Sequence, residues 1–327
     1  MFGRVSRFVL LVTVLSGGTA QASVAQTQLV IVSGLGGQPK YTKSFGELSS
    51  SLAQAAHERW KLADSSITWL GDTAAARTRW FRGASSRDNI DRLLVRLAAR
   101  NPAEQLVLVL IGHGSGEGED TRVSLPGPDM TARDFARSLA RFDGRRVAFI
   151  NLTSASGDML PLLAAPGRVV MTATKSAFER NESQFARFFV DALARDGADR
   201  DKDGRVSLHE AFQYAEQETR RFYESDGRLA TEHAQIADEG QLARRFYLAG
   251  GATAASDAGF SAAPAGSSAR VASLYTEQQA LDQQLQGLKR RKSSMTAEAY
   301  EQELERVLLA IALKGREIRR AERGGGS

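Results

Sequence analysis

At 327 residues the chain is too long for one small domain and long enough for one α/β domain plus an accessory piece. Hydrophobic residues at 42% and charged residues at 25% are ordinary for a globular protein, and a formal charge of +5, lowered by two if Arg4 and Arg7 leave with a leader, gives no argument for a nucleic-acid partner. The cysteine count is zero, which excludes disulfides and every form of thiolate chemistry.

In chain order, residues 1–22 read as a secretory signal peptide. Basic "MFGRVSR" precedes apolar "FVLLVTVL", and Ala20-Gln21-Ala22 forms a small-x-small exit. That apolar run is too short to cross a bilayer comfortably and no later run is long enough, so no stable membrane span is expected. The expected destination is secreted or periplasmic. Residues 27–249 then alternate strands and helices. "QLVIVSG" is a β-branched strand closed by Gly-Leu-Gly-Gly, and "FGELSSSLAQAAHERW" has helical spacing. "SITWLGD" is a second strand and "RDNIDRLLVRLAAR" an amphipathic helix. "EQLVLVLIGHGSG" holds the most continuous apolar run and reads as a central strand buried on both faces. "TARDFARSLARF" is a helix with Thr131 at its N-cap, followed by strands "RRVAFINLTS" and "GRVVMTAT". "ESQFARFFVDALARDG" places Phe185, Phe189 and Leu193 on one helical face. This alternation predicts a mainly parallel sheet with helices on both faces.

Residues 250–270 are Ala/Gly/Ser-rich without period and read as a flexible linker. Beyond it, Leu274, Leu281, Leu285 and Leu288 share one stripe. Tyr300, Leu304, Val307, Ile311 and Ile318 make a second. Residues 271–323 are therefore expected to form a helical hairpin that pairs with itself or joins a coiled-coil partner.

Two motifs carry chemistry. "DRDKDGRVSLHE", residues 199–210, has the EF-hand ligand pattern. Asp199, Asp201 and Asp203 supply carboxylate oxygens, and Arg205 supplies its backbone carbonyl. Ser207 can hold a water, Gly204 permits the turn, and Glu210 closes the site with two oxygens. The expected cofactor is a structural Ca²⁺. The second motif is a pair 41 residues apart: His113 at the end of one strand and Ser154 at the end of the next. In a parallel sheet both emerge at the carboxyl edge, where such folds place their sites. The Gly114 amide is placed to act as an oxyanion donor. "GHGSG" fails as a nucleophile elbow because His113 stands where the first glycine belongs. "GLGG" lacks the third spaced glycine of a dinucleotide loop.

With these residues in place, the chain resembles the caspase-like cysteine peptidases, and among them the legumain-like family. "LIGHGSG" looks like the catalytic His segment and "INLTSASGDM" like the nucleophile segment, with Ser154 on the position of the family's Cys. "VVMTATKSAFERNES" resembles the following strand and loop. The resemblance implies that Thr172, Ala173, Thr174 and Ser176 shape a substrate pocket. It also implies a His–Cys dyad, and here a Ser replaces the thiol. A serine hydroxyl needs a hydrogen-bonded base, often oriented by an acid; Asp158 and Glu117 are candidates for that acid. The favoured expectation is a pseudopeptidase that binds a peptide or protein partner without cutting it. Two alternatives stay open: a hydrolase using Ser154 with His113, and a scaffold acting through residues 271–323.

Overall fold

The apolar runs around "QLVIVS" and "QLVLVLI" become the two central strands because every side chain on them can be buried, odd and even positions going to opposite faces. The computed structural model describes residues 26–72, 78–202, 204–248 and 295–324, together with Arg270, Ser273, Leu274, Glu277, Leu281, Gln284 and Leu288. The signal-peptide segment 1–22, Asp203, Leu285 and the linker before Arg270 lie outside the described residues.

The elements are β1 (Thr27–Ser33), α1 (Pro39–Glu58), β2 (Ile67–Gly71), β3 (Phe81–Ala84), α2 (Arg87–Ala98), β4 (Gln105–Ile111), β5 (Gly114–Ser115), β6 (Arg122–Val123), β7 (Met130–Thr131), α3 (Ala132–Leu139), β8 (Val147–Asn151), α4 (Met159–Leu163), β9 (Arg168–Thr172), α5 (Gln184–Ala194), α6 (Leu208–Ser225) and β10 (Gln235–Asp238). A seven-stranded sheet runs in the order β10-β9-β8-β4-β1-β2-β3. Every pairing in it is parallel except that of β10 with β9, so the α/β, mainly parallel architecture expected from the alternation is the observed one. A small antiparallel sheet, β5-β6-β7, grows from the loop after β4.

Helices cover both faces. Leu29, Ile31, Val107, Val109 and Ile150 point to a core shared with residues of α1, α5 and α6. Val30, Val32, Leu106, Leu108 and Phe149 point the other way, toward α2, α3 and α4. Burying each such side chain contributes about 1.5–3 kcal/mol. Caps set the helix starts. Ser86 caps α2 and Ser183 caps α5. Thr131 and Asp134 form a capping box on α3, in line with Thr131 as the expected N-cap.

The C-terminal region is the expected helical hairpin. A helix spans Ala297–Gly324, and the described positions between Arg270 and Leu288 are helical. Leu288, Val307 and Ile318 are buried, and Lys314 bonds Glu277 at 2.7 Å across 37 residues.

Candidate functional site

Strand register brings His113 and Ser154 to one edge. β4 and β8 are neighbours in parallel, with Leu110 level with Asn151. Each of the two residues stands three places beyond that matched pair. The loops that carry them touch closely: a Cβ on Gly114 would meet the Ser154 carbonyl oxygen at 2.2 Å and the Thr153 hydroxyl at 2.8 Å. Only a residue without a side chain fits there, and this physical reason for glycine was not visible in the sequence.

The His113 ring is half-buried between two aromatic edges, with centroids 4.6 Å from Tyr41 and 5.0 Å from Phe45 on α1. Burial holds its pKa below the ordinary imidazole value, against the opposing charge of Glu182 and a hydrogen bond to the Gly36 backbone. At neutral pH it is therefore an uncharged imidazole. Neither Asp158 nor Glu117 orients it. Asp158 accepts from the Gly118 amide at 2.9 Å and the Ala177 amide at 3.3 Å, which ties the His113 loop to the loop after β9. Glu117 is exposed. Glu182, in the loop before α5, is the carboxylate whose charge opposes the effect of burial on His113, a position the strand ends do not point to.

Ser154 is 3% exposed. Its Oγ accepts the Gly114 amide at 3.3 Å, and among the described residues no hydrogen bond joins it to His113. The next residue, Ala155, has φ 51°, a left-handed conformation that costs a non-glycine residue about 1–2 kcal/mol. Its amide donates to the Glu179 carbonyl at 2.8 Å, which holds that turn in place. Beyond it, the Thr174 hydroxyl accepts from the amides of Ser156 and Gly157 at 2.7 and 3.1 Å and pairs with the Ser156 hydroxyl at 3.1 Å. A Cβ on Gly157 would lie 2.1 Å from the Lys175 carbonyl carbon.

Thr172, Ala173 and Thr174 are fully buried, and the Thr172 hydroxyl donates to the Thr174 carbonyl at 2.9 Å. Ser176 is half-buried. Of these four residues Thr174 is the one bonded to the turn after Ser154, while the solvent side of this loop carries Phe178, 74% exposed. Leu35, in the loop after β1, is also exposed. Glu179 binds the loop from below. Its carboxylate accepts from the Lys175 amide at 2.9 Å and the His233 amide at 3.0 Å, and pairs with the His233 ring at 2.5 Å. A cavity of about 820 Å³ opens between α1 and the ends of β1 and β2, with Gly34, Gln38, Lys43, Trp69 and Asp72 among its lining. Phe45 belongs both to this cavity and to the His113 ring contact.

The acidic loop is also built. Ligand atoms of Asp199, Asp201 and Glu210 lie within 4.8 Å of one another. Asp199 accepts the Gly204 amide at 2.9 Å, and Gly204 takes φ 84°, the turn that its place in the pattern demands. Glu210 accepts the amides of Arg200 and Ser207 at 2.9 Å. The Ser207 hydroxyl caps α6 by accepting the Glu210 amide and donates back to the Glu210 carboxylate. Arg205 stacks its guanidinium 4.0 Å from the Tyr247 ring centroid.

No protein-family model matches the sequence, and no curated protein matches it. Among solved structures, drICE is similar at 9% identity over 67% of this chain and 89% of that chain, with a TM-score of 0.42. Caspase-1 from Spodoptera frugiperda is similar at 10% identity over 66% of this chain and 87% of that chain, TM-score 0.43. The structure described as pro-sf-caspase-1 is similar at 10% identity over 66% and 92%, again at 0.43.

Proposed function

We propose that the chain is an exported, caspase-like pseudopeptidase of the legumain-like type, a peptide- or protein-binding module stabilised by Ca²⁺. The observation that carries this reading is the state of Ser154. Its hydroxyl is buried and bonded to the Gly114 amide, the donor that a developing oxyanion would need, and among the described residues it has no bond to a base. A serine without a hydrogen-bonded base is a weak nucleophile. Exposed Phe178 and Leu35 near the same edge supply apolar contacts for a bound segment. The donor set of the acidic loop fits Ca²⁺: three carboxylates converge within 4.8 Å and would repel one another without a cation. Bound there, the ion would fix the start of α6 against the preceding loop.

The test is labelling with a fluorophosphonate probe, comparing the full chain with Ser154→Ala. No labelling at Ser154 is expected; labelling that the substitution abolishes overturns the reading. The hydrolase alternative draws on one observation, the uncharged imidazole of His113 one strand away. Ser154→Cys separates the two further. Peptidase activity appearing only in that variant indicates an intact site lacking its thiol.

A further inference from the structure

Among the described positions of the C-terminal helix Ala297–Gly324, the buried ones fall on one face. Val307 and Ile318 are buried, and Lys314 on that side reaches Glu277 of the preceding helical stretch. Away from that face Leu308, Leu309 and Leu313 are 48%, 60% and 47% exposed. These three leucines straddle the helix midpoint, which falls between Ala310 and Ile311.

Charge is distributed about the same midpoint. The N-terminal half carries Glu298, Glu301, Glu303 and Glu305 against a single Arg306. The C-terminal half carries Lys314 and four arginines against Glu317 and Glu322. Along the stripe that contains Leu309, helical spacing places Glu298 and Glu305 on one side of the leucines and Arg316 and Arg320 on the other; all four are exposed.

We propose that this face is the contact between two copies of the chain, packed antiparallel about a two-fold axis at the helix midpoint. An isologous interface requires a surface complementary to itself. Here an antiparallel copy brings Glu305 level with Arg316, Glu301 level with Arg320, and Leu308 level with Leu313. A parallel copy instead sets Glu305 on Glu305 and Arg316 on Arg316, which opposes association. Two hairpins joined this way form a four-helix assembly that covers the exposed leucines. The apolar patch is short and the flanking pairs are solvent-exposed, so the dimer is weak and salt-sensitive, dissociating in the micromolar range.

The test is sedimentation equilibrium on the full chain at low and high salt. A monomer–dimer equilibrium that weakens with salt is expected. Glu305→Arg should raise the dissociation constant about tenfold, and Glu305→Arg with Arg316→Glu should restore it, because the pair re-forms across the axis. Since the chain lacks cysteine, orientation is read by mixing Glu305→Cys with Arg316→Cys, which share a face and stand level across the axis. Antiparallel packing gives the mixed disulfide in preference to either homodimer. A wild type that stays monomeric at about 100 µM overturns the proposal. So does a dimer insensitive to the charge reversals, or preferential homodimeric disulfides.

Discussion

Gly114→Ala tests whether the approach of the two site loops is as tight as described. The new Cβ would stand 2.2 Å from the Ser154 carbonyl oxygen and 2.8 Å from the Thr153 hydroxyl. An ordinary contact needs about 3.4 Å, so the two loops must separate by roughly an ångström in a region where both contacts are stiff. Overpacking of this kind costs about 1–3 kcal/mol. The same separation breaks the hydrogen bond from the Gly114 amide to Ser154 Oγ, worth about 1 kcal/mol. The expected loss is therefore about 2–4 kcal/mol. At about 2–4 °C per kcal/mol, melting falls by roughly 4–16 °C in differential scanning fluorimetry. Gly46→Ala is the control. It lies within α1 with open space around its missing Cβ, and should raise stability by about 0.5–1 kcal/mol. A Gly114→Ala melting temperature within a degree of wild type would refute the reasoning.

The acidic loop and His113 give two further expectations. If the loop binds calcium with the sub-millimolar to millimolar affinity usual for extracellular modules, 10 mM Ca²⁺ stabilises the fold by about 1.4–2.7 kcal/mol, and Glu210→Gln removes most of that gain. A melting temperature unmoved by Ca²⁺ counts against the site. Because burial lowers the pKa of His113, the unfolded chain takes up its proton first as pH falls. The stabilisation is complete above the unfolded value of about 6.5 and is lost as pH drops from there toward the lowered folded value. Urea titrations between pH 7.5 and 5 should then show wild type losing stability relative to His113→Phe, and parallel profiles would contradict it.

The strands that run under helices on both sides were legible because burial on two faces writes a continuous apolar run, as in Leu106–Ile111. The edges were not. β10 is the half-exposed, partly polar "QIAD", and β3 is the short "FRGA", whose pairing with β2 is irregular. Neither carries a strand-like pattern, since an edge strand needs little apolar surface. The hairpin stripes were readable, and Leu288, Val307 and Ile318 are buried. At the site, strand ends located His113 and Ser154, because parallel register carries both to one edge. The roles of the acids were not legible. Asp158 lies two residues from Ser156 in sequence yet ties together two other loops, and Glu182 reaches His113 only through the fold. Such assignments depend on which loops meet, and spacing along the chain does not encode that.

Glu179 connects three parts of the molecule at once. Its carbonyl holds Ala155, and its carboxylate holds Lys175 and His233. Because that residue is shared, through its carbonyl and its carboxylate, a load on any one of these segments is passed to the others. A displacement of the Phe178 loop would tug the turn beside Ser154 and the segment leading into β10 together. Positions 155 and 233, far apart in the sequence, are thereby coupled through one residue at the edge of the sheet.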